Sequence, residues 1–157
     1  MTIRDLTPDD LGWVLDINRE HEALLSVLDA QELADLVAKA TLARVIEGEA
    51  FLLAMDQSTD YDSWNYRWFC TRYPRFLYVD RIAVASAAAG GGQGKRLYAD
   101  FYAQAAQRGF SMVCAEVNSV PPNDASLAFH AKQGFTVVGE APVPGRGKSV
   151  RFFTRAL

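Results

Sequence analysis

Residues 76–94 read FLYVDRIAVASAAAGGGQG, and the fold turns on how this stretch is read. Phe76 to Val84 is apolar, β-branched and aromatic, which predicts a strand. Small residues follow from Ala85 to Ala89, then Gly90, Gly91, Gly92 and Gly94, which predict a tight turn. Beyond them, KRLYADFYAQAAQRG sets Leu97, Phe101 and Ala105 on one face and ends at Gly109, the pattern of an amphipathic helix. A strand, a glycine-rich turn and a helix start together make an anion site, because the first backbone N–H groups of the helix point outward and its dipole adds partial positive charge. Gly90, Gly91, Gly92 and Gly94 are the first candidates, and Lys95 and Arg96 add charge. A purely structural helix start uses glycine in the same way. Two other phosphate motifs do not fit: no Gly-Lys-Ser or Gly-Lys-Thr is present, and the turn comes too late for an amino-terminal dinucleotide unit.

Working outward, Ser111 to Val117 predicts a strand, Pro121-Pro122 a turn, and Asn123 to Gln133 a helix that ends at Gly134. Strands at Phe135 to Glu140 and Ser149 to Arg155 close the chain around the turn-rich APVPGRGK. Toward the N-terminus, Thr7-Pro8-Asp9-Asp10 is a helix start, with a hydroxyl cap, proline in the first turn and acids at the positive end of the dipole. Asp29-Ala30-Gln31-Glu32 is a second start of capping-box type, after which Leu33, Leu36, Val37 and Ala40 share a face. The connection between these helices carries His21 and Glu22 and is placed to border a site. Leu42 to Ile46 and Ala50 to Met55 predict an antiparallel hairpin. Residues 57–75 hold Tyr61, Trp64, Tyr66, Trp68, Phe69 and Tyr73, and read as a functional loop or, from the alternation of Trp64, Tyr66 and Trp68, as part of a strand.

With 157 residues, 50% hydrophobic and 22% charged, the chain has the balance of one globular domain over residues 1–157. No stretch of membrane-spanning length is apolar throughout, and the opening residues lack the layout of a secretory signal, so a cytoplasmic protein is expected. Cys70 and Cys114 have neither disulfide-framework nor metal-ligand spacing. The net charge of -3 conceals an asymmetry: residues 1–60 carry 13 acids and 4 bases, residues 61–157 carry 6 acids and 12 bases. A basic half suits an anionic cofactor and an acidic half a cationic substrate, although solvated helix faces give the same count. Dispersed bases and an acidic isoelectric point argue against nucleic acid.

The segment NDASLAFHAKQGF, residues 123–135, adds the second half of a pattern. Its position after VASAAAGGGQGKRLY resembles the GNAT superfamily of acetyltransferases, whose coenzyme A signature runs Arg or Gln, two residues, Gly, one residue, then Gly or Ala. Gly92 and Gly94 match the last two positions, while Ala89 stands where Arg or Gln is usual. The downstream segment is similar to the family's second recurrent stretch, with its Asn and its terminal Gly-Phe. The resemblance covers residues 76–140. It implies an α/β (α+β) fold: a mixed, mostly antiparallel twisted sheet of six to seven strands with helices on both faces. It also implies transfer of an acetyl group from acetyl-coenzyme A to a primary amine of a small molecule, amino acid or peptide N-terminus, by direct attack in a ternary complex. A coenzyme A-binding module without transferase activity is the alternative, prompted by Ala89 and a missing tyrosine.

By the same resemblance, the backbone of Ile82, Ala83 and Val84 holds the pantetheine arm and polarises the thioester carbonyl. The phosphates fall to Gly90, Gly91, Gly92, Gln93, Gly94 and Lys95, and Asn123, Ser126, Phe129 and Lys132 border the groove. His130 occupies the place where many relatives carry a tyrosine thought to protonate the departing thiolate, and an imidazole can also donate a proton near neutral pH. Glu116, in AEVN, is similar to the glutamate that supplies a base in N-terminal acetyltransferases, and strand alternation puts it on the face of Asn118. Asp80 competes for that role, grouped by alternation with Tyr78 and Ile82; an ion pair with Arg81 or another base is the structural use of either carboxylate. The aromatic segment would stand beside the acyl end, as a wall for an apolar body or a cation or simply as core. The expected partner is a small-molecule amine or peptide substrate, without nucleic acid or membrane, and a homodimer is left open.

Overall fold

The computed structural model describes residues 2–157. In chain order it contains β1 (Ile3–Asp5), α1 (Leu11–Glu20), α2 (Ala30–Lys39), β2 (Leu42–Ile46), β3 (Ala50–Asp56), α3 (Trp64–Cys70), β4 (Leu77–Val84), α4 (Gln93–Gln107), β5 (Met112–Val120), α5 (Asp124–Lys132), β6 (Thr136–Val143) and β7 (Lys148–Ala156). A 3-10 turn at Pro8–Asp10 leads into α1. The Asp29 cap forms as its sequence requires: its carboxylate accepts from Glu32 N at 2.8 Å, and Glu32 Oε1 accepts from Asp29 N at 3.0 Å.

The strands form one seven-stranded sheet in the order β1-β2-β3-β4-β5-β7-β6. Neighbours are antiparallel except β4 and β5, which run parallel. Each face carries its own core. Val14 of α1, Leu33 of α2 and Phe69 of α3 cover one face, over Phe51, Tyr78, Cys114 and Phe152. On the other, Leu97, Phe101 and Ala105 of α4 meet Leu52, Leu77, Val113 and Phe153, with Leu127 and Phe129 of α5 at the margin. The predicted layering, with helices on both faces, is the observed one.

Three expectations change. The aromatic segment is neither a loop throughout nor a strand: Trp64–Cys70 is a short helix capped by Ser63, whose Oγ accepts from Tyr66 N. Tyr66 and Phe69, three residues apart, bury one side, while Trp68 stacks on Phe152 at 3.9 Å between centroids. Rings on several sides of one helix conceal its period. β1 had no counterpart in the sequence pattern, being three residues long on the sheet edge. Finally, a bulge breaks the alternation of β4: Val79 pairs with Ala54 and Arg81 with Leu53, leaving Asp80 as the extra residue. Ile82 therefore packs with Val79 on the α4 face, opposite Tyr78, rather than sharing the face of Tyr78.

Candidate active site

β4 and β5 pair only at Leu77 with Val113 and at Tyr78 with Cys114. Beyond these pairs β4 stays with β3, up to Val84 opposite Ala50, and β5 stays with β7. The facing strand edges are left without a strand partner, so backbone N–H and C=O groups point into the gap. A groove of about 1140 Å³ fills it, lined on one side by Tyr78 to Val84 and on the other by Ala115 to Asn118. His21, in the connection after α1, reaches this rim: its Nε2 lies 2.8 Å from the Val84 carbonyl oxygen.

At one end the groove runs onto the start of α4. Gly90 and Gly92 take φ of +83° and +82°, the left-handed region that a side chain disfavours, and no atom lies within 4 Å of where a side chain on either would begin. The backbone approaches open space there, and the leading N–H groups of α4, from Gly92 to Lys95, precede any intrahelical partner. Ile82, Ala83, Val84, Gly90, Gly92, Gln93, Gly94, Lys95, Asn123, Ser126 and Phe129 all line the groove. Gly91 and Lys132, two of the expected cofactor contacts, do not line it: the space beside Gly91 is taken by the Gln93 amide, 2.6 Å from the position of a Cβ. Asn123 caps α5, accepting from Ser126 N at 3.3 Å.

At the other end two carboxylates face each other across the gap, in different circumstances. Asp80 is saturated: Oδ1 accepts from the Tyr61 hydroxyl at 2.6 Å and Oδ2 from Arg81 Nε at 2.9 Å. Arg81, 5% exposed, also donates to Asn18 Oδ1 at 2.9 Å and Ser26 Oγ at 2.7 Å, tying α1 and the loop after it to β4. Burial and the Asp80 charge hold the Tyr61 hydroxyl well above its usual range, so it stays a donor. Glu116 Oε1 accepts from Asn65 Nδ2 at 3.1 Å and the Tyr78 hydroxyl stands close to the same carboxylate, while Oε2 is buried and accepts no hydrogen bond. Burial pushes the Glu116 carboxyl up to about 8; the Tyr78 hydroxyl draws it back, the Asp80 charge raises it again, and Asn65 lowers it. Asn65 gave no signal in sequence, because it enters the site from a helix that was not read as one.

The expectation for His130 does not match its surroundings. The ring is 4% exposed and packs against Tyr98, Phe129, Phe135 and Phe153. Nδ1 lies 2.8 Å from the Ser126 carbonyl, which can only accept, so Nδ1 carries the proton and Nε2 accepts from the Tyr98 hydroxyl at 2.7 Å. Burial lowers its pKa, favouring the neutral ring. Both nitrogens are engaged within the protein, and no imidazole proton is free for a leaving group.

Residues 58–135 match the acetyltransferase (GNAT) family model. The chain belongs to this family. It is an acetyltransferase, and acetyl-coenzyme A is its acetyl donor; membership sets aside the reading as a binding module without catalysis. Among solved structures, the ribosomal-protein-alanine N-acetyltransferase of Brucella melitensis is 23% identical with a TM-score of 0.75, covering 100% of both chains. Ard1 of Thermoplasma volcanium is 18% identical at 0.77, over 99% of this chain and 97% of its own. YncA of Salmonella typhimurium, solved with acetyl-CoA, is 20% identical at 0.71, over 99% and 93%. These likenesses establish the GNAT fold along the whole chain. No curated protein matches it in sequence. The residues present suit the donor: unpaired amides at the head of α4 for phosphate oxygens, an open strand edge for an extended amide-bearing arm, and no obstructing side chain over Gly90 or Gly92. Among the described residues no helix is long and apolar enough to cross a membrane.

Proposed function

We propose that the enzyme acetylates a primary amine by direct attack within a ternary complex, with Glu116 as the general base. The observation that carries this reading is the solvent-shielded, unpartnered Oε2 of Glu116 in the gap between β4 and β5. Asp80, its competitor, has both oxygens engaged and serves to hold Tyr61 and Arg81 in place.

Acetyl-coenzyme A supplies an acetyl thioester, whose carbonyl carbon is the electrophile. The free edge of β4 at Ile82 to Val84 offers backbone N–H groups to align the donor's arm and to stabilise a developing oxyanion. Gly92, Gln93, Gly94 and Lys95 present helix-head amides to its phosphates, which compensates for Ala89 in place of the usual side chain. Glu116 takes a proton from the incoming ammonium, and the freed lone pair forms the new C–N bond as the C–S bond breaks. A second nitrogen proton goes to the departing sulfur. A thiol of ordinary pKa, about 8.5, needs no strong acid to leave, which agrees with an enzyme whose His130 has no proton to give.

A carboxylate that titrates near 8 is a base only when ionised, so kcat/KM should rise with pH to a plateau with a midpoint near 8. Thiol release from acetyl-coenzyme A, measured against pH over amines, amino acids and peptide N-termini, checks this. Glu116→Gln should abolish the midpoint; a variant that kept wild-type turnover and pH profile would overturn the assignment.

A further inference from the structure

The Glu116 oxygen is not the only buried acceptor left open at this end of the groove. Asn65 Oδ1 is also shielded from solvent and accepts no hydrogen bond. The two side chains are in contact, since the Asn65 amide donates to Glu116 Oε1 at 3.1 Å, and both line the groove. That bond fixes both groups at once: with Nδ2 on one carboxylate oxygen, the Asn65 carbonyl oxygen and Glu116 Oε2 are the two atoms left over. Buried acceptors without donors are rare in folded proteins because each forfeits its bonds to water. Two of them, hydrogen-bonded as a pair in a solvent-connected groove, make a seat for a group that brings donors.

We propose that Asn65 and Glu116 together bind the acceptor nitrogen, and that the seat selects an ammonium group with at least two N–H donors, carried on an apolar body. The proposal rests on Glu116 being the base at this site. One N–H is directed at Glu116 Oε2, the proton that is lost; a second is held by Asn65 Oδ1 and keeps the nitrogen oriented after that loss. A hydroxyl, with a single donor, leaves one of the two acceptors unpaired. The apolar body follows from the neighbours. Trp64, beside Asn65 in α3, is 39% exposed, and Leu24 and Val27, at 48% and 65%, are the other large exposed hydrophobic side chains along this groove. Asn65 is thus a specificity residue supplied by α3, and it tunes the base as well, since its amide stabilises the ionised carboxylate.

Calorimetric binding of benzylamine and of N,N-dimethylbenzylamine to the free enzyme tests this, at a pH between the ionisation of Glu116 and that of the amine. The tertiary ammonium keeps one N–H, so the primary amine should bind about tenfold more tightly, the scale of one buried acceptor left unpaired. Asn65→Leu should reduce that ratio to near one and raise the pH midpoint of kcat/KM. Asn65→Asp keeps an acceptor and loses the donor, so it should preserve the ratio while moving the midpoint upward further, because a second negative charge lies beside Glu116. Thermal melts establish that each variant is folded. The proposal is overturned if folded Asn65→Leu keeps the wild-type ratio and midpoint, or if the wild type binds the two amines equally. If Asn65→Leu fails to fold, loss of the ratio in Asn65→Asp overturns it. Retained turnover in Glu116→Gln would instead remove the base assignment, and the binding ratio distinguishes the two failures.

Discussion

The two ends of the groove are made of different material. The end at the start of α4 is built from backbone: a helix head, two glycines in the left-handed region and an unpaired strand edge. The end around Glu116 is built from side chains, delivered by α1, the loop after it, α3, β4 and β5, and joined through Asp80–Arg81, Arg81–Asn18 and Asn65–Glu116. Backbone recognition suits a ligand that never changes, because a main-chain cradle varies little with the residues that carry it. Side-chain recognition suits one that differs between relatives. The separation lets the acceptor be changed without disturbing the donor.

The largest effect that should sharpen this contrast is at Glu116. Glu116→Gln is expected to lower kcat by about 10²–10⁴-fold, the usual share of a general base, with acetyl-coenzyme A affinity unchanged by calorimetry. Loss of donor binding would break the separation of the two ends. The same variant carries a stability signature. A folded pKa raised from 4.5 to about 8 means that stability is intact below 4.5 and declines from there up to 8, because unfolding frees the carboxyl to ionise, and levels off above 8. Glu116→Gln escapes this cost, so its melting temperature should exceed that of wild type above pH 8 and converge with it in acid.

Next in size is Asp80→Asn, which leaves the buried Arg81 charge without its carboxylate. Denaturant unfolding should show a loss of about 3–5 kcal/mol, with a smaller change in turnover per folded molecule than Glu116→Gln. A loss of catalysis as deep as that of Glu116→Gln with stability intact would make Asp80 the base. Gly92→Ala forces a side chain into φ near +82° and should cost about 1–2 kcal/mol. A turn that shifts to relieve this strain takes the helix-head amides out of aim, so acetyl-coenzyme A should bind about tenfold more weakly, while benzylamine binding to the free enzyme holds. Smallest in catalysis is His130→Phe. It removes the acceptor for the Tyr98 hydroxyl and lowers the melting point, but kcat should fall far less than the roughly 10²–10⁴-fold of a lost general acid. A full loss with an altered pH profile would restore the imidazole as proton donor.

The same division explains what could be read from sequence. The glycine turn and the helix that opens at Asn123 were legible because local backbone requirements leave marks on nearby residues: a positive φ calls for Gly90 and Gly92, and Pro121-Pro122 and Gly134 bracket the helix. Glu116 was singled out by the resemblance of AEVN to a family segment, and strand alternation supplied only the face it shares with Asn118. Asn65 was not, since its role depends on meeting a residue 51 positions away from a helix whose aromatic faces hide its period. The Asp80 bulge escaped for a related reason: one extra residue reverses the alternation of every residue beyond it, and nothing in FLYVDRIAV marks where it falls. His130 was read as a donor from its place in a motif, and only its contacts reveal that both nitrogens are spoken for.

The short pairing of β4 with β5 also has a mechanical meaning. Two residue pairs are the whole hydrogen-bonded seam between a half-sheet of β1 to β4 and another of β5 to β7. A ligand lying along that seam bonds to both halves and completes the sheet with atoms the chain does not encode. Amide exchange should therefore slow in β4 and β5 together when the donor is bound, so that occupancy of the groove can be followed as the stiffness of the protein that holds it.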